Sequence, residues 1–410
     1  MAPSDNVLRI PAFRHLVGGR LAAASATQIQ SVVVAWQLYA LTRDPMTLAW
    51  VGLAQFVPMF LLVLPAGDLA DRIDRRYLLA ASYGTQGLAA ALFVLLTWRA
   101  PHALPGFYAV LVLFGMARAF AGPATQSLLP QLVGRRLLSR GIAWNSSFLQ
   151  MAIIGGPALG GLLYLFGPMV AYAVCFALFV AGAGSVFTIG GDLPRAAQGH
   201  NLGPWARFTA GLAYVRGRPA IAGALSMDLF AVLLGGITAL LPIYAYEILH
   251  VGPVGLGLLR SAIAVGAFAM GLYLGQRPLQ RHAGPKLFAS VALFGLAILI
   301  FALSHDFYLS MAALGVAGAA DMISMFVRNS LVQLTTTDAM RGRVSAVNSL
   351  CIGASNELGE FESGIAAAWF GAVPAALIGG AGTLAVVALW WAGFPSLRRV
   401  DRLNELMPDA

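Results

Sequence analysis

The sequence predicts an all-α integral membrane protein with twelve transmembrane helices in two pseudo-symmetric six-helix halves. Three observations carry that expectation: the solvent its composition demands, the length of its apolar runs, and an internal repeat. Of 410 residues, 59% are hydrophobic and 10% charged, whereas soluble domains carry roughly 25% charged residues. The bilayer must therefore be the solvent. The apolar runs are continuous and about 20 residues long, the reach of a helix across the hydrocarbon core, not the alternating segments of about ten residues that build a barrel.

Charge clusters, Pro and Gly divide the chain into spans at 16–41, 49–69, 77–98, 104–127, 140–165, 168–190, 219–246, 254–276, 286–304, 307–332, 344–369 and 371–394. Arg9, Arg14 and Arg20 precede the first run, which lacks the short apolar core and small-residue cleavage site of a signal peptide, so it reads as a retained span. Basic residues set the orientation. The N-tail, the even-to-odd loops and the C-tail hold 21 of them, against Arg43 and Arg99 on the opposite side, which places both termini in the cytoplasm of a bacterial inner membrane. The net charge of +9 is then topology and not a nucleic-acid footprint.

The longest non-apolar stretch falls after the sixth span and divides the chain into an N-terminal half (1–190), a cytoplasmic linker (191–218), a C-terminal half (219–394) and a C-tail (395–410). The repeat supports that division. Gln126-Ser127-Leu128 through Arg140 to Asn145-Ser146-Ser147 matches Asn329-Ser330-Leu331 through Arg343 to Asn348-Ser349-Leu350 at a constant offset of 203. Two parallel six-helix halves are the architecture of major facilitator transporters, whose sites lie near the midplane.

Several motifs resemble that superfamily. The segment Gly67-Asp68-Leu69-Ala70-Asp71-Arg72-Ile73-Asp74-Arg75-Arg76 is similar to its loop signature, with Gly67, Asp71, Arg72, Arg75 and Arg76 in place and Asp74 where Gly is usual. Arg118 followed by Gly122 resembles a motif of the drug:proton antiporter branch, which implies a link to proton transfer. Gly156-Pro157-Ala158-Leu159-Gly160-Gly161 is similar to the antiporter motif, with Ala152 replacing the usual upstream Gly. Asn145-Ser146-Ser147, Arg341-Gly342-Arg343-Val344 and Ser355-Asn356-Glu357-Leu358-Gly359-Glu360-Phe361 resemble the transmembrane secretion effector group, relatives of the enterobactin exporter. The resemblance implies proton-coupled export.

An ionisable residue at mid-membrane costs on the order of 2.5 to 3.5 kcal/mol to insert, so each is a functional hypothesis. Glu357 and Glu360 are three apart on one helix face, with Glu362 beyond, and their burial and mutual repulsion suit the uptake and release of a proton. Asp228 in span 7 is a further proton-coupling candidate. Arg118 and Asp321 sit at matching positions in spans 4 and 10 and could pair across a cavity. Asp71 and Arg72, with Gly67, Arg75 and Arg76, form a conformational latch at the inner end of span 2. Gly156, Pro157, Gly160 and Gly161 form a helix seam that could seal against proton leak, or a plain packing kink. Gln30, Gln37 and Trp36 are substrate-cavity candidates, with helix-to-helix packing the alternative. Arg260, Glu247 and Arg328 fall near span ends and read as snorkelling structural charges.

Cys175 and Cys351 read as small buried hydrophobes, with no metal or CxxC spacing. GxxxxGK[ST], HExxH and GxSxG are absent, which argues against ATP drive and against a protease or esterase. The reading is a proton-driven antiporter without cofactor, functional as a monomer, that exports small amphipathic molecules such as drugs or siderophores by alternating access. A facilitator or importer on the same scaffold is the alternative; a receptor or membrane enzyme fits less well.

Overall fold

A computed structural model describes residues 6–190, 204–277, 279 and 281–401. The run Leu104–Tyr164 is broken at Gly134, whose φ of 69° and ψ of 165° only glycine adopts readily, so it forms two spans. Among the described residues there are twelve long helices: α1 (Pro11–Thr42), α2 (Pro45–Arg72), α3 (Arg75–Arg99), α4 (Leu104–Gly134), α5 (Leu137–Tyr164), α6 (Pro168–Phe187), α7 (Pro219–Ile248), α8 (Gly252–Gln276), α9 (Ala283–Leu303), α10 (Phe307–Thr335), α11 (Asp338–Phe370) and α12 (Ala372–Gly393). Ten contain a stretch long and apolar enough to cross a bilayer. The other two, α1 and α11, are 32 and 33 residues long and carry the glutamines and glutamates singled out above.

The expected limits differ most at the α4–α5 join. There the sequence suggests a gap from 127 to 140, yet the helices run to Gly134 and resume at Leu137, because one glycine suffices for the turn. α1 starts at Pro11 and takes in His15, which lay outside the expected span. The expected linker is not all extended: Pro204–Arg216 is a helix, and Gly211 in it abuts the Arg343 backbone at the start of α11. Residues 191–203 lie outside the described residues.

α7 is not one regular helix. Its α-helical part ends at Leu234, Gly235 and Gly236 break it, and it resumes through a 3₁₀ turn at Ile237–Leu240 to a π turn at Tyr244–Ile248. The repeat shows in local backbone geometry. Gly167 (φ 97°, ψ 153°) and Gly371 (φ 90°, ψ 162°) precede α6 and α12, while Arg43 (φ 53°) and His250 (φ 51°) occupy the connections before α2 and α8.

The helices sort into two compact units. One contains α1, α3 to α6, most of α2 and the first turns of α8, Gly252–Ser261. The other contains the start of α2, Arg43–Gly52, with α7, the rest of α8 and α9 to α12. In the first, Phe93 of α3 stacks between Phe107 of α4 and Tyr172 of α6. In the second, Ala224, Met227 and Ala231 of α7 pack with Leu287, Phe288 and Val291 of α9, and with Val327 and Leu331 of α10. Large apolar side chains such as Phe166 (75% exposed) and Leu389 (66%) remain on the outside, a liability in water and a fit for lipid. Trp98 under Arg99 and Trp391 under Arg398 pair an apolar ring with a cation at helix ends, as interfacial anchors do.

Candidate functional site

Charge is distributed unevenly along the fold. α1 and α3 to α6 contain no Asp or Glu at all, whereas Asp228, Asp321, Glu357, Glu360 and Glu362 all lie on α7, α10 and α11. Apart from Asp68 and Asp71 at the inner end of α2, the carboxylates of these helices therefore belong to the second unit.

α11 presents Glu357, Glu360 and Glu362 half-buried. The start of α2 packs along this stretch: Gly52 faces Glu360, where an added Cβ would lie 3.7 Å from the Glu360 Cβ and 4.0 Å from its Oε2. One turn further, Gly364 meets Ala49 so closely that an added Cβ would lie 2.7 Å from the Ala49 Cβ, and Trp50 lies 6.2 Å from Phe361, ring centre to ring centre. On another side Gly359 abuts the backbone of Val232 and Leu233 on α7. Ser363 donates to Glu362 Oε2 at 3.5 Å. Small residues at 359 and 364 bring α7 and α2 close, while the larger carboxylates between them take the remaining space.

Asp228 is buried, and its carboxylate is paired with Arg328 of α10, which is 3% exposed. This corrects the expectation that Arg328 snorkels at a helix end. Two charges taken out of water hold only as a pair, so Asp228 is committed to an ion pair in this conformation. Asn348 of α11 donates to Asn329 Oδ1 at 3.1 Å beside it. Cys351, expected buried, is only partly so and lies within the field of Arg328. Asp321 is half-buried on α10, next to Met322, which packs on Gly271 of α8.

In the first unit, the glycines of α5 form a seam. An added Cβ at Gly156 would fall 2.5 Å from the Gln28 Cβ and at Gly160 3.0 Å from the Ile29 carbonyl, both on α1. Gly161 meets the Pro253 carbonyl at the start of α8, and Gly257 of α8 meets the Pro157 carbonyl in return. Ser261 donates to the Ile154 carbonyl at 2.7 Å across the same contact. Arg260, expected to snorkel, instead donates to Ser31 Oγ of α1 at 2.6 Å.

The cavity candidates Gln30, Trp36 and Gln37 are all buried, in keeping with the helix-packing alternative. Gln37 is 3% exposed, accepts from the Tyr172 hydroxyl at 2.8 Å and donates to Thr97 Oγ1 at 3.2 Å, so it ties α1 to α6 and α3. Trp36 is buried edge-on against Tyr164. Gln30 is 2% exposed, and its Oε1 has no hydrogen-bond partner among the described residues. Arg118 is half-buried, 6.0 Å from the Phe114 ring centre on its own helix.

Of the latch residues, Gly67 has open space around it, and the side chains of Asp71 and Arg72 lie outside the described residues. Arg75 is buried. Asp74, the departure from the loop signature, caps α3: its Oδ1 accepts from the Arg76 N–H at 2.9 Å, and its carboxylate pairs with the Arg76 guanidinium at 2.6 Å. That hydrogen bond holds the Asp74 carboxyl below the usual range, against a smaller opposing effect of burial. Arg76 also donates to the Ile189 carbonyl just past α6 at 2.8 Å. Asp at an N-cap is a helix-start signal that the comparison with a loop signature conceals.

A contact with no counterpart in the sequence reading lies at the α1–α2 connection. Arg43 stacks on Tyr246 in the π turn of α7, 3.6 Å from the ring centre, and donates to its hydroxyl. His250 Nδ1 lies 3.1 Å from the Tyr246 carbonyl. The available signal was arithmetic, since Arg43 and Tyr246 are themselves 203 residues apart. Among the described residues, no group of three or more His, Cys, Asp or Glu is disposed to hold a metal ion.

The sequence profile of the transmembrane secretion effector family matches residues 3–407. The chain is similar to the enterobactin exporter of Citrobacter koseri, 27% identical over 91% of this chain and 86% of that one. It is also similar to the enterobactin exporter of Shigella dysenteriae, 26% identical over the same shares. Among solved structures it resembles a bacterial homologue of the iron transporter ferroportin in an inward-facing state, with TM-score 0.73 and 16% identity over 94% of this chain and 99% of that one. A nucleoside transporter gives TM-score 0.71 and 15% identity over 94% and 99%. At such identities the structural likeness shows the fold alone. The profile match spans nearly the whole chain, and the protein thus belongs to the transmembrane secretion effector family of major facilitator transporters, which are carriers and not enzymes.

Proposed function

We propose that the protein is a proton-coupled exporter of small amphipathic molecules of the siderophore kind, working by alternating access in a bacterial inner membrane with both termini in the cytoplasm. The observation that carries the reading is the α11 carboxylate group. Glu357, Glu360 and Glu362 lie half-buried within one span, in the unit that also holds Asp321 and the Asp228–Arg328 ion pair. A half-buried carboxylate in a span carries a desolvation cost when charged, so taking up a proton relieves that cost and can be coupled to a change of conformation. Glu357 and Glu360 are then the coupling groups, and Asp228 is held in reserve by its ion pair. The cargo class is supported by the similarity to enterobactin exporters. A proton entering from outside neutralises Glu357 or Glu360, removes the cost of a buried charge and shifts the balance between inward- and outward-open states. No cofactor enters this scheme, and one chain contains every group it uses.

The test is uptake of enterobactin into inverted membrane vesicles. Accumulation that follows an imposed proton gradient, collapses with a protonophore and is lost in Glu357→Gln supports the reading. Uptake that ignores the gradient and survives the substitution makes the protein a facilitator.

A further inference from the structure

We propose that Asp228, Ser324, Arg328 and Asn348 enclose a site for bound water inside the second unit, and that this site is the inner station of the proton path. The inference rests on the proton-coupled reading of α11 and adds a place where the proton stops on its way to the cytoplasm.

Three helices of that unit, α7, α10 and α11, build the site. Asp228 and Arg328 pair between the first two. Ser324 and Arg328 are four apart on one face of α10, and helical side chains lean toward the N-terminus, so Arg328 runs back over the turn that holds Ser324. On α11, Asn348 and Cys351 share a face; Asn348 donates to Asn329, and Cys351 lies in the field of Arg328. Arg328 Nε, Ser324 Oγ and Asn348 Oδ1 are buried, in residues 3%, 2% and 9% exposed, and none has a hydrogen-bond partner among the described residues. Polar atoms left so in an interior are costly unless a small ligand satisfies them. Charge decides which ligand. A cation is repelled by Arg328 and an anion by Asp228, whereas water accepts from Arg328 Nε, shares a hydrogen bond with Ser324 Oγ and donates to Asn348 Oδ1, the roughly three partners that buried water takes.

Depth gives the site its use. Asn348 lies nine residues inward of Glu357 on α11, about 14 Å at the helical rise, and Asp228 lies nine residues from the start of α7. A proton that moves from the glutamates to the cytoplasm passes this level. The bound water gives one proton to Asp228 and regains one from the outward side, while Arg328 keeps its charge throughout. The pair loosens when Asp228 is neutral and re-forms when the proton leaves inward. Of the other titratable groups on the elements packed here, Cys351 faces Arg328, Asp321 lies two turns outward on α10, and Tyr214, Lys286 and Arg398 lie on the linker helix, α9 and the C-terminal turn. α12 has no titratable side chain.

The test uses the full chain. In one arm, a structure in lipid nanodiscs at a resolution that shows ordered water should place a water at hydrogen-bond distance from Arg328 Nε and Ser324 Oγ in the wild type, and lose it in Ser324→Val. No such water in the wild type overturns the site. In the second arm, enterobactin-triggered proton efflux is timed in proteoliposomes with an acidified interior. Ser324→Val and Ser324→Thr introduce side chains of similar volume that differ by a hydroxyl. Efflux should slow about three- to tenfold in the first, the weight of one buried hydrogen bond, and recover most of its rate in the second, at equal folded yield. Equal rates in the wild type and both variants overturn the station, and so does equal slowing in both. If the wild type moves no protons with enterobactin, the antiport reading falls and the station with it, while the first arm still decides the water site.

Discussion

α5 and α11 stand at the same place in the two repeats, and they solve the same packing problem with different chemistry. The 203-residue offset maps Gly156 onto Gly359 and Gly161 onto Gly364. Both members of each pair are close-approach glycines: α5 seats on the start of α8 at Pro253, and α11 seats on the start of α2 at Ala49. Between the glycines the two helices diverge. Ile154 corresponds to Glu357, Pro157 to Glu360 and Leu159 to Glu362. The backbone geometry of the seam is common to both halves, while only the second carries titratable groups in it. The first seam is therefore an uncharged joint, and the second, on the function proposed above, is a joint whose stability changes with protonation. That difference is what the proposed proton-driven export would use.

The comparison breaks first at the uncharged joint. Gly161→Leu forces a side chain into the Pro253 backbone, where no flexible neighbour can yield, and should cost at least ~3 kcal/mol. Folded yield and thermal midpoint in detergent should collapse, whereas Gly67→Ala, with open space around it, should leave both unchanged. An equal response of the two variants would contradict the seam.

The next largest effect concerns the ion pair that sets Asp228 apart from the α11 glutamates. Asp228→Asn strands the Arg328 charge and should destabilise by about 3 to 5 kcal/mol, and the double change Asp228→Asn with Arg328→Gln should recover much of it. If the single and double variants melt alike, the pair is not coupled. Gln37→Leu should cost about 0.6 to 1.7 kcal/mol by unpairing the Tyr172 hydroxyl, with transport selectivity unaltered. A changed substrate range would return Gln37 to the cavity.

The smallest effect is at Asp74. Its carboxyl is held below its ordinary value, so the stabilisation it provides is present above the usual carboxylate range and is lost as pH falls through the depressed value. Asp74→Ala should lower stability by about 1 kcal/mol near neutrality, mostly through the cap, and by less in acid. A thermal-shift series across pH reads both the size and the sign.

Much of this was legible in the sequence. Apolar runs, basic loops and the 203-residue repeat define the helices and their order, because the bilayer penalises any other arrangement of an unpaired backbone. The glycine seam was legible as a motif, and the α11 glutamates as anomalies. Partners were not. Arg328 reads as a snorkelling cation until Asp228 is placed beside it, and for Gln37, open to both a cavity and a packing role, the sequence did not show that its amide meets Tyr172 and Thr97. Hydropathy reports how deep a residue lies and not which helix it faces. The same holds for Arg43, whose contact with Tyr246 joins positions that no local pattern connects.

The central claim is that the α11 glutamates carry the proton. The direct measurement is lumenal pH in proteoliposomes with an acidified interior, on addition of enterobactin to the wild type and to Glu357→Gln with Glu360→Gln. The account predicts proton efflux triggered by enterobactin in the wild type and none in the variant. Efflux of equal size in the variant would place the coupling elsewhere in the molecule and contradict it.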